Sequence, residues 1–241
     1  MPCRDVTITN CIFSTKWAGL RIGLLSRGDF ENVIVSNCVF KDIEDSGLKI
    51  QLCEGGEMRN MLFTGLLMKN VPRPVFMTFC QQRACVDAPV ALAPMKSMRN
   101  MVFSNITIDD SDLDAQSAII VVGMPGEPVK DVVFRDIRFL TPGGGVFSNG
   151  TRDESDSLLP DLTPELLGTG WPEFYSFGRR VPSFGFYANH VDGLVLDGCG
   201  FDSATEDTRP AVICHDIGRH EFRNLTTSGE PAEILLNGRK R

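Results

Sequence analysis

Apolar and polar residues alternate along a short stretch of this chain, and the stretch keeps returning. In the segment from Asp5 to Phe13, Val6, Ile8, Cys11 and Phe13 are apolar, whereas Thr7 and Thr9 are polar. Period-2 alternation rich in Val, Ile, Thr and Phe predicts a short strand. The alternation slips at Asn10-Cys11, which predicts a bend between two such strands. The same pattern recurs at Asn32 to Phe40, Asn60 to Met68, Asn100 to Ile108, Asp131 to Phe139 and Gly193 to Phe201, with a worn copy at Glu221 to Leu225. The first two copies stand 27 residues apart and the next step is 28. A fixed period of this size marks a repeat array in which each unit buries its apolar face only against its neighbours.

A second pattern holds the same period. Gly19-Leu-Arg-Ile-Gly23 returns as Gly47-Leu-Lys-Ile-Gln51, 28 residues later. Three short strands per repeat and no helical periodicity predict an all-β chain coiled as a parallel β-helix, about 27–28 residues per turn. The Leu-x-x-Leu-x-Leu spacing of leucine-rich repeats is absent, and a β-sandwich would not require a repeated sequence. Asn10, Asn37 and Asn105 should stack at the bend and hydrogen-bond along the stack. Cys11, Cys38 and Cys199 fall beside them at one equivalent position. With no CxxC pair, they read as small buried residues rather than as a metal or disulfide site.

Composition narrows the function classes. The chain has 241 residues, 42% of them hydrophobic, and a formal net charge of −7. That suffices for one elongated domain over residues 1–241. The lack of a long apolar run and of a basic block argues against a membrane or nucleic-acid partner. Met1-Pro-Cys-Arg-Asp5 enters a strand at once, without a signal-peptide pattern, and the eight cysteines form no dense framework, which favours a reducing compartment. Insertions at 79–96 and 142–183 break the period. The second carries Trp171 and Tyr175, aromatic anchors that favour order, and long loops of this kind often wall a binding site.

The run Pro2-Cys-Arg-Asp-Val-Thr-Ile-Thr-Asn-Cys11, followed by Gly19–Gly23, Asn32–Cys38 and Gly47–Gln51, resembles the polygalacturonase family of glycoside hydrolases (family 28). Arg73-Pro-Val-Phe76, Pro172-Glu-Phe-Tyr175 and Phe184–Val191 are similar to bacterial members. The resemblance implies a right-handed, single-stranded, pectin-lyase-like parallel β-helix that hydrolyses galacturonic acid polymers with inversion. In that family a Gly-Asp-Asp segment precedes a Pro-Cys-Arg-Asp-Val run. The resemblance therefore implies that the N-terminal turns bearing the catalytic Asp residues are missing and that no catalytic residue lies within this chain. The family's Gly-His-Gly aligns with Trp17-Ala18-Gly19, and its Arg-Ile-Lys with Lys49-Ile50-Gln51, so Ala18 replaces a histidine and Gln51 a cation. Both departures point to a related specificity. Self-association through an uncapped N-terminal end, where Val6, Ile8 and Phe13 lack a covering turn, is also expected.

Inverting hydrolysis requires two carboxyl groups roughly 6.5–9.5 Å apart, and the strands at 19–23 and 47–51 carry none. Asp29, Glu31, Glu44 and Asp45 read as a solvated rim. Arg21 and Lys49, one turn apart, should lie about 4.8 Å from each other; two cations that close either suit an anionic partner such as a uronate carboxylate or are each neutralised by an acid from a loop or by water, and the family resemblance favours the partner. Gln51, Tyr187 and Asn189 are expected on the same groove, with Trp17 as a sugar-stacking aromatic. His190 reads as structural rather than as a general base. With three histidines and no ligand spacing, neither a metal site nor a cofactor is expected. An acidic oligo- or polysaccharide is thus the expected partner. A non-catalytic carbohydrate-binding or structural protein is the alternative, and a lyase would need an acidic Ca²⁺ cluster absent from the groove strands.

Overall fold

The structure is a computed structural model that describes residues 1–23, 26, 28–52, 55–79, 97–114, 117–145 and 181–240. Among them the fold is all-β, without helices, and one large, mainly parallel sheet of 18 strands curls around the core. The first repeat pattern forms β1 (Cys3–Thr9), β2 (Ile12–Thr15), β4 (Phe30–Ile43), β6 (Glu57–Lys69), β8 (Ser97–Asp109), β10 (Val129–Thr141), the second half of β11 (Phe186–Asp197), β12 (Gly200–Ser203), β14 (His220–Arg223) and β15 (Thr226–Thr227). The second forms β3 (Leu20–Gly23), β5 (Leu48–Leu52), β7 (Val75–Phe79), β9 (Ile119–Val122), the first half of β11, β13 (Val212–Ile217) and β17 (Ile234–Leu236). Two short strands, β16 (Glu230–Pro231) and β18 (Arg239–Lys240), fold back antiparallel on β15 and β17.

Register follows the repeat. Val6 faces Val33, Val33 faces Met61, Met61 faces Met101, Met101 faces Val132 and Val132 faces Leu194, all in parallel pairs. The inward residues therefore stack in columns. Phe63, Phe103 and Phe134 form one, with ring centroids 4.7 and 4.5 Å apart and nearly parallel planes. Each such ring, removed from water, contributes about 1.5–3 kcal/mol. Cys38 and Cys199 are buried and free. Cys38 stacks with Leu66, Ile106 and Ile137, and burial pushes the Cys199 thiol up to about 12. These sulfurs fill space, as their position in the repeat predicted.

The corners show a rule that the bend at Asn10 only hinted at. Positive φ angles occupy three successive corners of β4, at Asn32, Asn37 and Asp42, and the other left-handed residues described are again Asn, Asp or Gly, apart from His190 and Ser228. The left-handed region costs an ordinary L-residue about 1–2 kcal/mol, and Asn and Asp enter it most readily. At the Asn10–Asn37 corner Gly65 interrupts the amide stack, and Asn105 donates to Thr64 Oγ1 at 3.4 Å. The expected ladder lies one corner earlier: Asn32 Nδ2 donates to Asp5 Oδ1 at 2.8 Å, Asn60 to Asn32 at 3.2 Å and Asn100 to Asn60 at 2.7 Å.

At the N-terminal end, β1 and β2 pair with β4 and β3 pairs with β5, leaving their other edges open among the described pairings. Ile12 is 70% exposed there, and Val6, Ile8 and Phe13 are partly buried.

Asn60 holds φ at 57° and joins two rungs of the ladder. Asn60→Ala should therefore lower the stability by about 2 kcal/mol, from a strained corner and two lost hydrogen bonds. Asn60→Gly, which keeps the backbone free, should cost about half as much. Urea denaturation of both variants checks the ordering.

Candidate functional site

The strands of the second pattern (the second sheet, a part of the 18-stranded whole) bring the residues singled out in the sequence into two outward columns. Arg21, Lys49, Phe76, Ile120, Tyr187 and Ile213 succeed one another at one position, and Gly23, Gln51, Thr78, Val122, Asn189 and His215 at the next but one. Arg21, Lys49 and Tyr187 thus share a column, and Gln51 and Asn189 share its neighbour, as the repeat predicted. Neither column contains a carboxylate.

The surroundings differ from an open groove. Only Arg21 is exposed; Lys49, Gln51 and Tyr187 are fully buried and Asn189 is 1% exposed. β5, β7 and β9 are buried on both faces, so they read in sequence as nearly unbroken apolar runs such as Val75–Phe79 and Ile119–Val122. Trp17, 76% exposed, stands outside this buried set; its backbone N–H donates to Thr15 Oγ1. Trp171 and Tyr175, with most of both insertions, lie outside the described residues. His190 sits at a left-handed corner, almost buried, with Nδ1 2.5 Å from the carboxylate of Asp216, itself at positive φ. That is a corner residue's environment, in keeping with its structural reading.

Carboxylates reach this sheet from the turns that precede its strands. Asp45, expected on a solvated rim, is 13% exposed in its side chain and accepts from Lys49 Nζ at 2.7 Å. Lys49 also lies over the Phe76 ring, 5.8 Å from its centre. Arg73, just before β7, is fully buried and donates to the carbonyl of Pro72 at 2.6 Å. Burial first, then the positive charge of Arg209, lower its pKa to about 9, while Asp45 and Asp110 pull it back; it stays charged at neutral pH. Asp110, between β8 and β9, is fully buried; it accepts from the Val71 N–H at 2.7 Å and from Ser117 Oγ at 2.5 Å. Burial raises its carboxyl pKa to about 7 against these hydrogen bonds, with the Asp109 charge adding to the rise and Arg73 opposing it.

Before β13, Arg209 and Asp207 form a two-pronged pair, Nε to Oδ1 at 2.9 Å and Nη2 to Oδ2 at 2.6 Å, with side chains 1% and 0% exposed. Asp207 also accepts from the Gly145 N–H at 3.0 Å, and Arg209 Nη1 donates to the carbonyls of Val181 and Ser183 at 2.8 and 3.3 Å. One ion pair therefore ties residue 145 to residues 181–183. A Cβ at Gly145 would meet Arg209 Nε at 1.9 Å, so this close approach requires glycine.

Three cations and three carboxylates, Lys49, Arg73 and Arg209 with Asp45, Asp110 and Asp207, thus gather on one sheet and its leading turns. Sequence reasoning found Lys49 and missed Arg73, Asp110, Asp207 and Arg209 as members of a site. A signal was present, because Arg73 and Arg209 each precede a proline that leads into an apolar strand, and the residue before proline is held extended. Chemically, such a set can exchange one of its carboxylates for an anionic ligand, with guanidinium groups gripping it bidentately. The described residues contain no group of acids, histidines or cysteines able to hold a metal ion. No protein-family model matches this chain, and comparison with curated proteins and with solved structures gives no significant match.

Removing Arg209 leaves the buried Asp207 without its guanidinium. Arg209→Ala should destabilise the protein by about 3–5 kcal/mol, the cost of an uncompensated buried charge, and Gly145→Ala should weaken the same junction. Guanidinium denaturation of the two variants is the check.

Proposed function

We propose that this chain is a right-handed parallel β-helix of the polygalacturonase type whose second sheet recognises a uronate-containing, pectic oligosaccharide. The observation that carries the reading is the concentration of Lys49, Arg73 and Arg209 on that sheet and its leading turns. Burying a cation is costly, and a ligand carboxylate, like the carboxylates of Asp45 and Asp207, offsets that cost. A uronate carboxylate matches the fork of an arginine and the point charge of a lysine. The periodic parallel register supports the coil, and the repeated motifs support the family resemblance.

The reading is one of recognition, with hydrolysis requiring carboxylates that the outward columns of the described second sheet do not supply. Arg21, at the exposed end of the Lys49 column, is the cation of that column that meets solvent. Tyr187 and Asn189 supply polar groups further along the same sheet.

Calorimetric titration with trigalacturonate tests this. Binding is expected without turnover; Lys49→Ala should weaken it at least tenfold, and Arg21→Ala by a smaller factor. Absence of binding, or an equal affinity for a neutral trisaccharide, would contradict the proposal.

A further inference from the structure

Asp110 occupies a different place from the other two carboxylates of the cluster. Asp45 is bonded to Lys49 and Asp207 to Arg209, each at hydrogen-bond distance. Asp110 is instead held by a hydroxyl and a backbone N–H, those of Ser117 and Val71, and so spans the turns that lead into β7 and β9. Its charged neighbours are Asp109, adjoining it on the chain, and Arg73, from the turn before β7; Arg73 in turn feels Arg209 and Asp45. Asp110 is therefore the carboxylate whose charge is least fixed by a cation of its own.

We propose that this site takes up a proton together with its anionic ligand, and that Asp110 receives it. This rests on the uronate reading above and deepens it by naming how the site is regulated. Protonation of Asp110 removes one negative charge from the surroundings of Arg73, and a uronate carboxylate replaces the charge that Asp110 has given up. The proton comes from solvent and no covalent bond in the ligand changes.

The sign follows from the environment of the group. Burial holds the Asp110 carboxyl near 7, far above an ordinary aspartate, so it gains its proton as pH falls from 8 to 6. A uronate carboxyl stays ionised across that window, since such acids titrate near 3–4. Affinity should therefore rise on acidification, the reverse of what a simple loss of ligand charge would give. Both hydrogen bonds survive protonation on the free carboxyl oxygen lone pairs or by rotation of the Ser117 hydroxyl, so the proton can be bound without dismantling the turn.

Trigalacturonate titrations of the intact chain at pH 6, 7 and 8, in buffers of different ionisation enthalpy, decide the matter. A rise in affinity of about tenfold from pH 8 to pH 6, with net proton uptake near pH 7.5, is expected. Asp110→Asn should bind with nearly constant affinity across the range, close to the wild-type value at pH 6. His190, His215 and His220 are intact in that variant, so a pH dependence that persists in it belongs to them and overturns the assignment. Should Asp110→Asn fail to fold, the wild-type proton count alone decides: binding without uptake overturns the inference and leaves the uronate reading standing. No binding at any pH overturns both.

Discussion

Turning an extended chain of L-residues sharply into the next strand takes a residue at positive φ, and a Cβ resists that conformation. In this protein most described corners are occupied by Asn, Asp and Gly, with His190 and Ser228 the exceptions. Along Asp5, Asn32, Asn60 and Asn100 the corner amide has a further role: it donates to the corner residue of the neighbouring coil. Corner and register are thereby set by one side chain. A coil out of step by one residue would lose the ladder, put a β-branched residue into the left-handed region, and turn the apolar columns outward.

The site depends on that register. Arg21 meets Lys49 and Tyr187 meets Ile120 and Ile213 only because each coil returns in step. The leading turns of the second sheet then arrive at a common place, with Asp45, Arg73, Asp110 and Arg209 close enough to influence one another electrostatically. Paired carboxylates offset part of the desolvation of these cations, yet a purely apolar interior of the same shape would be at least as stable. Arg209 and Asp207 also fasten residue 145 to residues 181–183.

Much of this was legible beforehand. Val, Ile and Phe at alternate positions, repeated at 27 and 28 residues, sufficed for the parallel pairing of β1, β4 and β6, and Gly19–Gly23 with Gly47–Gln51 gave the register of β3 on β5. Their inward columns and the buried Cys38 and Cys199 followed from spacing alone, whereas Cys11 is only partly buried. Other features escaped for identifiable reasons. β7 and β9 do not alternate, because both of their faces are buried, and so they do not advertise membership of the second sheet. The Asn ladder was placed one corner late, since Asn10 and Asn37 look as suitable as Asn32 and Asn60 until Gly65 interrupts their stack. A lone acid in a turn carries no mark of burial, so Asp45 reads in the sequence as part of a solvated rim. Arg73, Asp110, Asp207 and Arg209 lie at unequal steps along the sequence, between which insertions intervene, so no local pattern joins them.

A crystal structure of the chain with trigalacturonate bound decides whether the second sheet recognises an anion. A uronate carboxylate is expected within hydrogen-bond distance of Lys49 or Arg73. A saccharide seated instead along Ile34 and Leu62 on the strands of the first pattern, with the Lys49–Asp45 pair intact and Arg73 untouched, would rule that out.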